Sequence, residues 1–379
     1  MKKLKGLSLF ANIGVAEASF KDIGINILLA NEINFERARF YRHVYPRTEM
    51  ICGDITNDKI RDEVVKKSIS YGVNFIIATP PCQGMSVAGN RNEFDERNQL
   101  IYYAIDVIKK VKPDYIFLEN VPRQLQTKII IRNKIITIPE YIKTELNSLY
   151  RFNDETLIRA GDYGVPQMRQ RNINLLVKKN KNIKWNPPAK KKEVTLEQAI
   201  GHLPSLDPYL REGLDFTLKK FPNFAEKKQA GLKVSKWHYP PTHSWKQVQW
   251  MIHTPTGKTA FDNPVYYPQL ENGKRIVGHH NHYRRLAWNK PCRTVIQNNG
   301  VISSLCCVHP GRALRSKNGA ALYSDPRVLS IYELLIVSSI PTNWNIPDWA
   351  SETLIRRAIG EGIPPNLVKS LMLELLRLF

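Results

Sequence analysis

Phe75-Ile76-Ile77-Ala78-Thr79-Pro80-Pro81-Cys82-Gln83-Gly84-Met85-Ser86 is an apolar run that breaks at two prolines. A short β-branched run bounded in this way reads as a buried strand ending in a rigid loop. In an open α/β sheet the carboxyl end of a strand delivers its loop to the ligand crevice, so Cys82 is a candidate nucleophile there. The prolines restrict the loop and lower the entropy cost of holding a reactive group in place. Alone, the same stretch describes a small buried cysteine in a proline turn. The segments around it decide between the two.

Working outward, strand and helix patterns alternate through the first half. Leu7-Ser8-Leu9-Phe10 reads as a strand, followed by a helix from about Val15 to Lys21. Ile25 to Ala30 and Met50-Ile51-Cys52 read as strands, with helices at Phe35 to Val44 and Asp58 to Ser70. Asn98 to Lys110 has an amphipathic helical pattern, and Asp114 to Leu118 is a strand that ends at Glu119-Asn120-Val121-Pro122. Such alternation gives βαβ units and an α/β fold: a Rossmann-like, mainly parallel sheet with helices on both faces.

After Val177 the texture changes. Residues 178–192 are rich in Lys, Asn and Pro, and periodicity stays weak to about Leu286, with Trp237, His238, Trp245, Trp250, Tyr266 and Tyr267 scattered among Lys, Pro and Gly. This predicts a smaller, irregular domain. Helical patterning returns at Leu329 to Ser338 and Asn366 to Leu378. The expected division is therefore 1–180 for a catalytic and cofactor-binding domain, 181–285 for a small domain, 286–325 for its remainder and a hinge, and 326–379 for a segment returning to the first domain.

The 56 Lys and Arg against 34 Asp and Glu give a net charge of +22. That excess implies a polyanionic partner, above all nucleic acid, because neutralised phosphate drives such binding. No stretch reads as a membrane span or a basic amphipathic anchor. The N-terminal lysines are not followed by the apolar core and cleavage site of a signal peptide, so the expected location is cytoplasmic. Five cysteines without CxxC spacing fit reduced thiols rather than a disulfide frame or a zinc site. His279, His280 and His282 read as a solvated or DNA-facing loop, and no metal is expected.

Three strand ends describe a nucleoside-containing cofactor. Phe10-Ala11-Asn12-Ile13-Gly14-Val15-Ala16-Glu17 is a degenerate glycine turn, where backbone approaches a ligand closely. Glu32 ends the second strand, where a carboxylate accepts both ribose hydroxyls, and Asp54 follows the third, in position for an adenine amino group. The turn lacks G-x-G-x-x-G spacing, which argues against NAD.

With these residues in place the sequence resembles the cytosine-5 DNA methyltransferases of the restriction-modification type. Phe10–Gly14 is similar to the family's FxGxG turn, Pro80–Gln83 to PPCQ, Glu119–Val121 to ENV, and Gln167–Arg171 to QxRxR after Tyr163-Gly164-Val165-Pro166. Arg285-Leu286, Pro291 and Thr294-Val295 resemble the element after its target-recognition region, and Gly360–Pro365 resembles its closing GNAVP element. Asn12 and Val15 stand where glycines are usual, and Glu361 replaces the closing Asn. Asn is the non-glycine residue best able to take positive φ, so the turn is expected to survive.

The resemblance implies S-adenosylmethionine bound by Phe10, Asn12, Gly14, Glu32, Ile33, Asp54, Ile55, Pro80, Gln99, Leu100, Glu361 and Gly362. It implies substrate contacts from Gln83, Ser86, Asn120, Val121 and Gln167, and catalysis by Cys82, Glu119, Arg169 and Arg171. The chemistry fits these roles. Cytosine C5 is too weakly nucleophilic to take a methyl group from a sulfonium, and a Cys82 thiolate adding at C6 turns the ring into an enamine that can. Glu119, protonated through burial, would meet N3 and the exocyclic amine. Arg171 would donate to O2, with Arg169 steadying the loop and a phosphate.

The target base must leave the duplex for this chemistry, and the basic middle region is the natural sequence reader. For any single aromatic in that region a mini-core role is expected ahead of base contact. The expected partner is double-stranded DNA, with a cognate restriction endonuclease, a bacterial source and a monomeric enzyme implied by resemblance. Methylation of cytosine in transfer RNA and a catalytically silent DNA-binding relative are the alternatives. The long variable region and the presence of Cys82, Glu119 and Arg171 argue against them.

Overall fold

The computed structural model describes residues 4–81, 96–131, 134–314 and 321–379. Its centre is one sheet built from β1 (Lys5–Leu9), β2 (Asn26–Glu32), β3 (Glu49–Cys52), β4 (Phe75–Ala78) and β5 (Tyr115–Asn120), all parallel, in the order β3-β2-β1-β4-β5. A separate hairpin, β6 (Lys128–Ile131) with β7 (Lys134–Thr137), follows β5. The sheet is completed by β8 (Tyr150–Phe152), β9 (Leu157–Arg159) and β10 (Gln170–Lys178). Strand β10 runs antiparallel to β5 and carries β8 and β9 on its other edge. The order reverses at β1, with β2 on one side and β4 on the other, which opens a crevice above the carboxyl ends of β1, β2 and β4.

The central residues of the strands form near-continuous apolar runs because both faces are covered. On one face Leu7, Leu9, Ile76, Ala78, Ile116 and Leu118 pack against α2 (Asp58–Ser70), α3 (Leu100–Val111) and α4 (Ile138–Leu146). α1 (Phe35–Val44) joins β2 to β3. On the opposite face Ile27, Phe75, Ile77, Phe117, Ile173 and Leu175 meet the last helix, which returns from the far end of the chain.

The middle region is more ordered than its sequence predicts. It contains α5 (Leu196–Ile200), α6 (Leu214–Lys220), α7 (Phe224–Val234) and α8 (Trp245–Ile252). Trp250, Tyr283, Val248 and Met251 form a local core, with Trp245 packed beside them. His238 is fully buried between Ser330 and the Pro204 carbonyl, and Trp237 packs on a neighbouring cluster. Tyr266 remains exposed and stacks on His253, while Arg275 lies over Tyr267.

The chain then forms α9 (Ile331–Val337), α10 (Glu352–Glu361) and α11 (Pro365–Arg377). Leu367, Val368, Leu371 and Met372 of α11 complete the second face of the sheet. The helices α5, α9 and α10 share a further core with Ile13 and Val15 of the glycine turn and Phe40 of α1. That core fastens the closing segment over the first strand end.

One expected element is absent. Between Val15 and Phe20 the backbone makes four-residue turns, Ala18 N–H to Val15 O and Phe20 N–H to Glu17 O, and only Lys21–Ile23 is helical, as a single 3₁₀ turn. Gly24 at φ +74° stops it, and so short a segment cannot recover the cost of starting an α-helix. β5 also extends through Glu119 and Asn120, so both functional residues lie within the strand.

Candidate active site

The turn after β1 holds three residues with positive φ: Phe10 at 57°, Asn12 at 52° and Gly14 at 83°. At Gly14 a Cβ would lie 2.1 Å from the Tyr45 ring and 3.0 Å from that of Tyr41, so only glycine fits. Tyr45 donates its hydroxyl to the Gly14 carbonyl at 2.5 Å and ties the turn to α1. Asn12 takes the left-handed conformation expected of it, and its backbone N–H donates to Glu32 Oε2 at 2.9 Å.

Glu32 is buried and is fixed on its other oxygen by the Asn34 N–H, also at 2.9 Å. Beside it Ile33 is 64% exposed, an apolar side chain at a strand end with no core to enter. Asp54 is exposed and its Oδ1 accepts from Thr56 N–H, while Ile55 is buried beneath it. Glu32 and Ile33 thus share one strand end with Asp54 on the adjoining one, a layout suited to a ribose and a flat base. Gln99 is exposed and Leu100 half-buried at the start of α3. Gly362 packs so tightly on the turn that a Cβ would lie 2.8 Å from Val15.

Beyond β4, Pro80 is buried and its carbonyl accepts the Asn120 amide at 3.1 Å. Asn120 Oδ1 accepts the Val121 N–H at 2.8 Å, so the Asn120 side chain orients the Pro80 loop against the end of β5. Cys82, Gln83 and Ser86 lie outside the described residues.

Glu119 and Arg171 face each other from adjacent strands, Oε1 to Nε 2.8 Å apart, each side chain 10% exposed. Burial pushes the Glu119 carboxyl above its usual range, and the charges of Arg171 and Arg169 only partly offset that. Arg171 also donates to the Gln170 carbonyl at 2.7 Å.

Arg169 and Gln167 both reach into the protein toward the closing segments of the chain. The Arg169 guanidinium is buried and donates to the carbonyls of Val295, Gly360 and Glu361 at 2.9, 3.1 and 3.0 Å. Gln167, 1% exposed, donates to Val337 O and Ser338 Oγ and accepts from Val295 N–H. Both residues precede β10, where backbone direction rather than strand alternation sets the side-chain vector.

A model of the C-5 cytosine-specific DNA methylases matches residues 4–377. The chain belongs to this family. The C-5 cytosine methylase is 42% identical to Type II methyltransferase M1.HgaI of Avibacterium volantium, over 99% of this chain and 98% of that protein. It is 28% identical to Type II methyltransferase M.DdeI of Desulfomicrobium norvegicum, over 96% and 86% of the two chains. Among solved structures, a putative DNA modification methyltransferase from an E. coli prophage superposes with a TM-score of 0.65 at 20% identity, covering 99% of both chains. Spodoptera frugiperda DNMT2 superposes with 0.59 at 16% identity over 98% and 99%. At these identities the structures speak for the shared fold. The family match and the Type II relatives make this chain a DNA cytosine-C5 methyltransferase of the modification type and favour that reading over the RNA and silent-relative alternatives.

Within this C-5 cytosine methylase the sequence missed Arg37, which reaches Glu361, and Glu17, a buried carboxylate behind the glycine turn. Neither belongs to a motif. Among the described residues no helix is long and apolar enough to cross a membrane, and no cluster of three or more His, Cys, Asp or Glu could hold a metal ion.

Proposed function

We propose that this methylase flips a cytosine out of duplex DNA and methylates C5 through a covalent Cys82 intermediate, with S-adenosylmethionine as methyl donor. The observation that carries the reading is the buried Glu119–Arg171 pair, held beside the strand end that leads to Cys82.

The Cys82 thiolate would add to C6 of the extruded base, forming an S–C6 bond and pushing electron density to C5 and N3. Glu119, with its carboxyl raised by burial, would hold a proton for N3 and accept from the exocyclic amine. Arg171, kept in place by Glu119 and the Gln170 carbonyl, would donate to O2. When bound, the methyl donor supplies an electrophilic methyl group to C5. Loss of the C5 proton and expulsion of the Cys82 thiolate would restore the aromatic ring.

The residues around the crevice fit such a donor: Glu32 for the ribose hydroxyls, Ile33 against the adenine, Asp54 for its amino group, and the Phe10–Gly14 turn under the remainder. Residues 181–285 would then read sequence from the small domain, with exposed Tyr266, His279 and His280 available to DNA. Pairing with a restriction endonuclease, a bacterial cytoplasmic setting and a monomeric state complete the proposal.

Incubation with a labelled methyl donor and separate duplex DNA and transfer RNA pools tests it, with Cys82→Ser as control. Label should enter DNA cytosine and vanish in the Ser variant. Label in RNA alone, or undiminished labelling by Cys82→Ser, would refute the proposal. A target site carrying 5-fluorocytosine should trap a denaturation-resistant adduct, because fluorine cannot leave as a proton does.

A further inference from the structure

The hairpin of β6 and β7 has one face on the core and one face uncovered. Ile129 is 2% exposed, and Ile131 and Ile136 pack with it against the core on that side of the sheet. On the other face Ile130 and Ile135 stand directly opposite each other in the ladder and are 44% and 63% exposed. Lys128, two residues before Ile130 and so on the same face, is exposed, as is Lys134 at the start of β7. Neither ammonium group has an ion-pair partner among the described residues.

The hairpin is firmly held at its base. Ile138 N–H donates to the Thr127 carbonyl at 3.0 Å, Thr127 Oγ1 donates to Arg123 O at 3.0 Å, and Thr137 and Glu140 form the capping box of α4. Its position follows from the topology. The chain leaves the carboxyl end of β5 through Glu119 and Asn120, and α4 returns it toward the amino end, where β8 starts parallel to β5. The hairpin therefore stands on the rim that carries Glu119. β6 also lies beside the 3₁₀ turn Glu96–Gln99 that leads into α3.

An exposed pair of β-branched residues on a two-stranded ribbon gains nothing from folding and invites association. Its two cations, on a chain of net charge +22, repel a second copy. They match a surface whose apolar parts are bordered by anions, as the sugars and base edges of duplex DNA are bordered by phosphates. We infer that the outer face of the β6–β7 hairpin docks on duplex DNA beside the target nucleotide. Ile130 and Ile135 press against sugar and base edges, and Lys128 and Lys134 hold the flanking phosphates. The inference rests on the duplex-DNA reading above and adds a contact from the catalytic domain to those of residues 181–285. Thr137, opposite Lys128 in the ladder, has its hydroxyl engaged by Glu140 at 2.6 Å, so this face holds the duplex rather than reads it.

Fluorescence anisotropy with a random-sequence DNA duplex, measured over a range of salt concentrations, tests the two parts of the surface separately. Ile130→Thr with Ile135→Thr keeps the β-branched ladder and should weaken binding about tenfold with the salt slope unchanged. Lys128→Ala with Lys134→Ala should lower the slope of log K against log salt by about 1.8, as expected for two phosphate contacts. Lys5→Ala with Lys66→Ala removes the same charge near the amino ends of the strands and should lower the slope by less than about 0.5. Equal slopes for the two lysine pairs, or undiminished affinity of the isoleucine variant, would overturn the inference. Sedimentation of the protein alone should show no association through this face. A wild-type dimer that the isoleucine variant fails to form would make the hairpin an interface between copies and overturn it as well. Failure of the wild-type protein to bind the duplex at all overturns the duplex-DNA reading instead.

Discussion

Asn120 donates its side-chain amide to the Pro80 carbonyl at 3.1 Å and so couples the end of β5 to the loop that leads from β4 to Cys82. Glu119, one residue earlier, is thereby held in register with that loop. Asn120→Ala should lower the single-turnover rate of methyl transfer by about a hundredfold, the scale of a 1 Å misplacement, and leave duplex DNA affinity nearly unchanged. Equal rates for variant and wild type in a rapid-quench measurement would show that the loop needs no such tether.

Arg169 and Arg171 should separate in experiment although they share one motif. Arg169→Met strands three carbonyls and should lower the free energy of unfolding by roughly 3 kcal/mol in urea titrations. Arg171→Met removes the partner of Glu119, but that carboxyl is already pushed upward by burial and can take a proton instead. Its stability should change by less than about 1 kcal/mol while kcat falls by about 10²–10³, the scale of losing one transition-state donor. The reverse ranking would reassign the two arginines.

The parallel sheet was legible because buried strands such as Phe75–Ala78 are continuous apolar runs, and the carboxyl ends carried the recognisable polar residues. The helix expected at Val15–Lys21 was not, since a buried Glu17 and a following glycine stop are compatible with either a short helix or successive turns. The motifs single out Gln167, Arg169 and Asn120, but the backbone groups that these side chains meet, up to 170 and 192 positions distant for Gln167 and Arg169, leave no local trace in the sequence. Arg37 carried no local signal at all. In sequence it is one more first-turn charge on a helix, and only the return of α10 gives it a partner.

Arg327 is fully buried between Asp325 and Glu333, with Glu333 bound at 2.7 and 2.9 Å. Removing one partner leaves an uncompensated buried charge, so Glu333→Gln should cost about 3–5 kcal/mol. The arginine holds the Glu333 carboxyl down at about 2, His309 and then Arg327 hold Asp325 below its usual range, and burial brings His309 down to about 4. In each case the unfolded chain binds more protons across the gap between the two pKa values, so this stability is present at neutral pH. It is lost as pH falls, first through the histidine range below about 6.5 and then through the carboxylates below about 4.5. Urea titrations of Glu17→Gln at pH 7 and pH 5, in which the opposing proton of Glu17 is removed, should show the first loss, and a flat response would count against a buried neutral His309.

Glu17 acts in the opposite sense. It is buried behind the glycine turn, and burial raises its pKa from 4.5 to about 7, only partly offset by a hydrogen bond from Ser8. Between those values the folded protein holds a proton that the unfolded chain has released. The contribution is therefore complete below pH 4.5 and declines as pH rises through 7, by roughly 3 kcal/mol in all. Glu17→Gln keeps the shape and cannot ionise. It should match the wild type near pH 5 and exceed its stability at pH 8.5 by up to about that amount, with a flatter alkaline limb. Because Tyr45 ties the Gly14 carbonyl beside this carboxylate, the same variant should also retain cofactor affinity at high pH where the wild type loses it. Parallel pH slopes for variant and wild type in both measurements would show that Glu17 stays ionised in the fold.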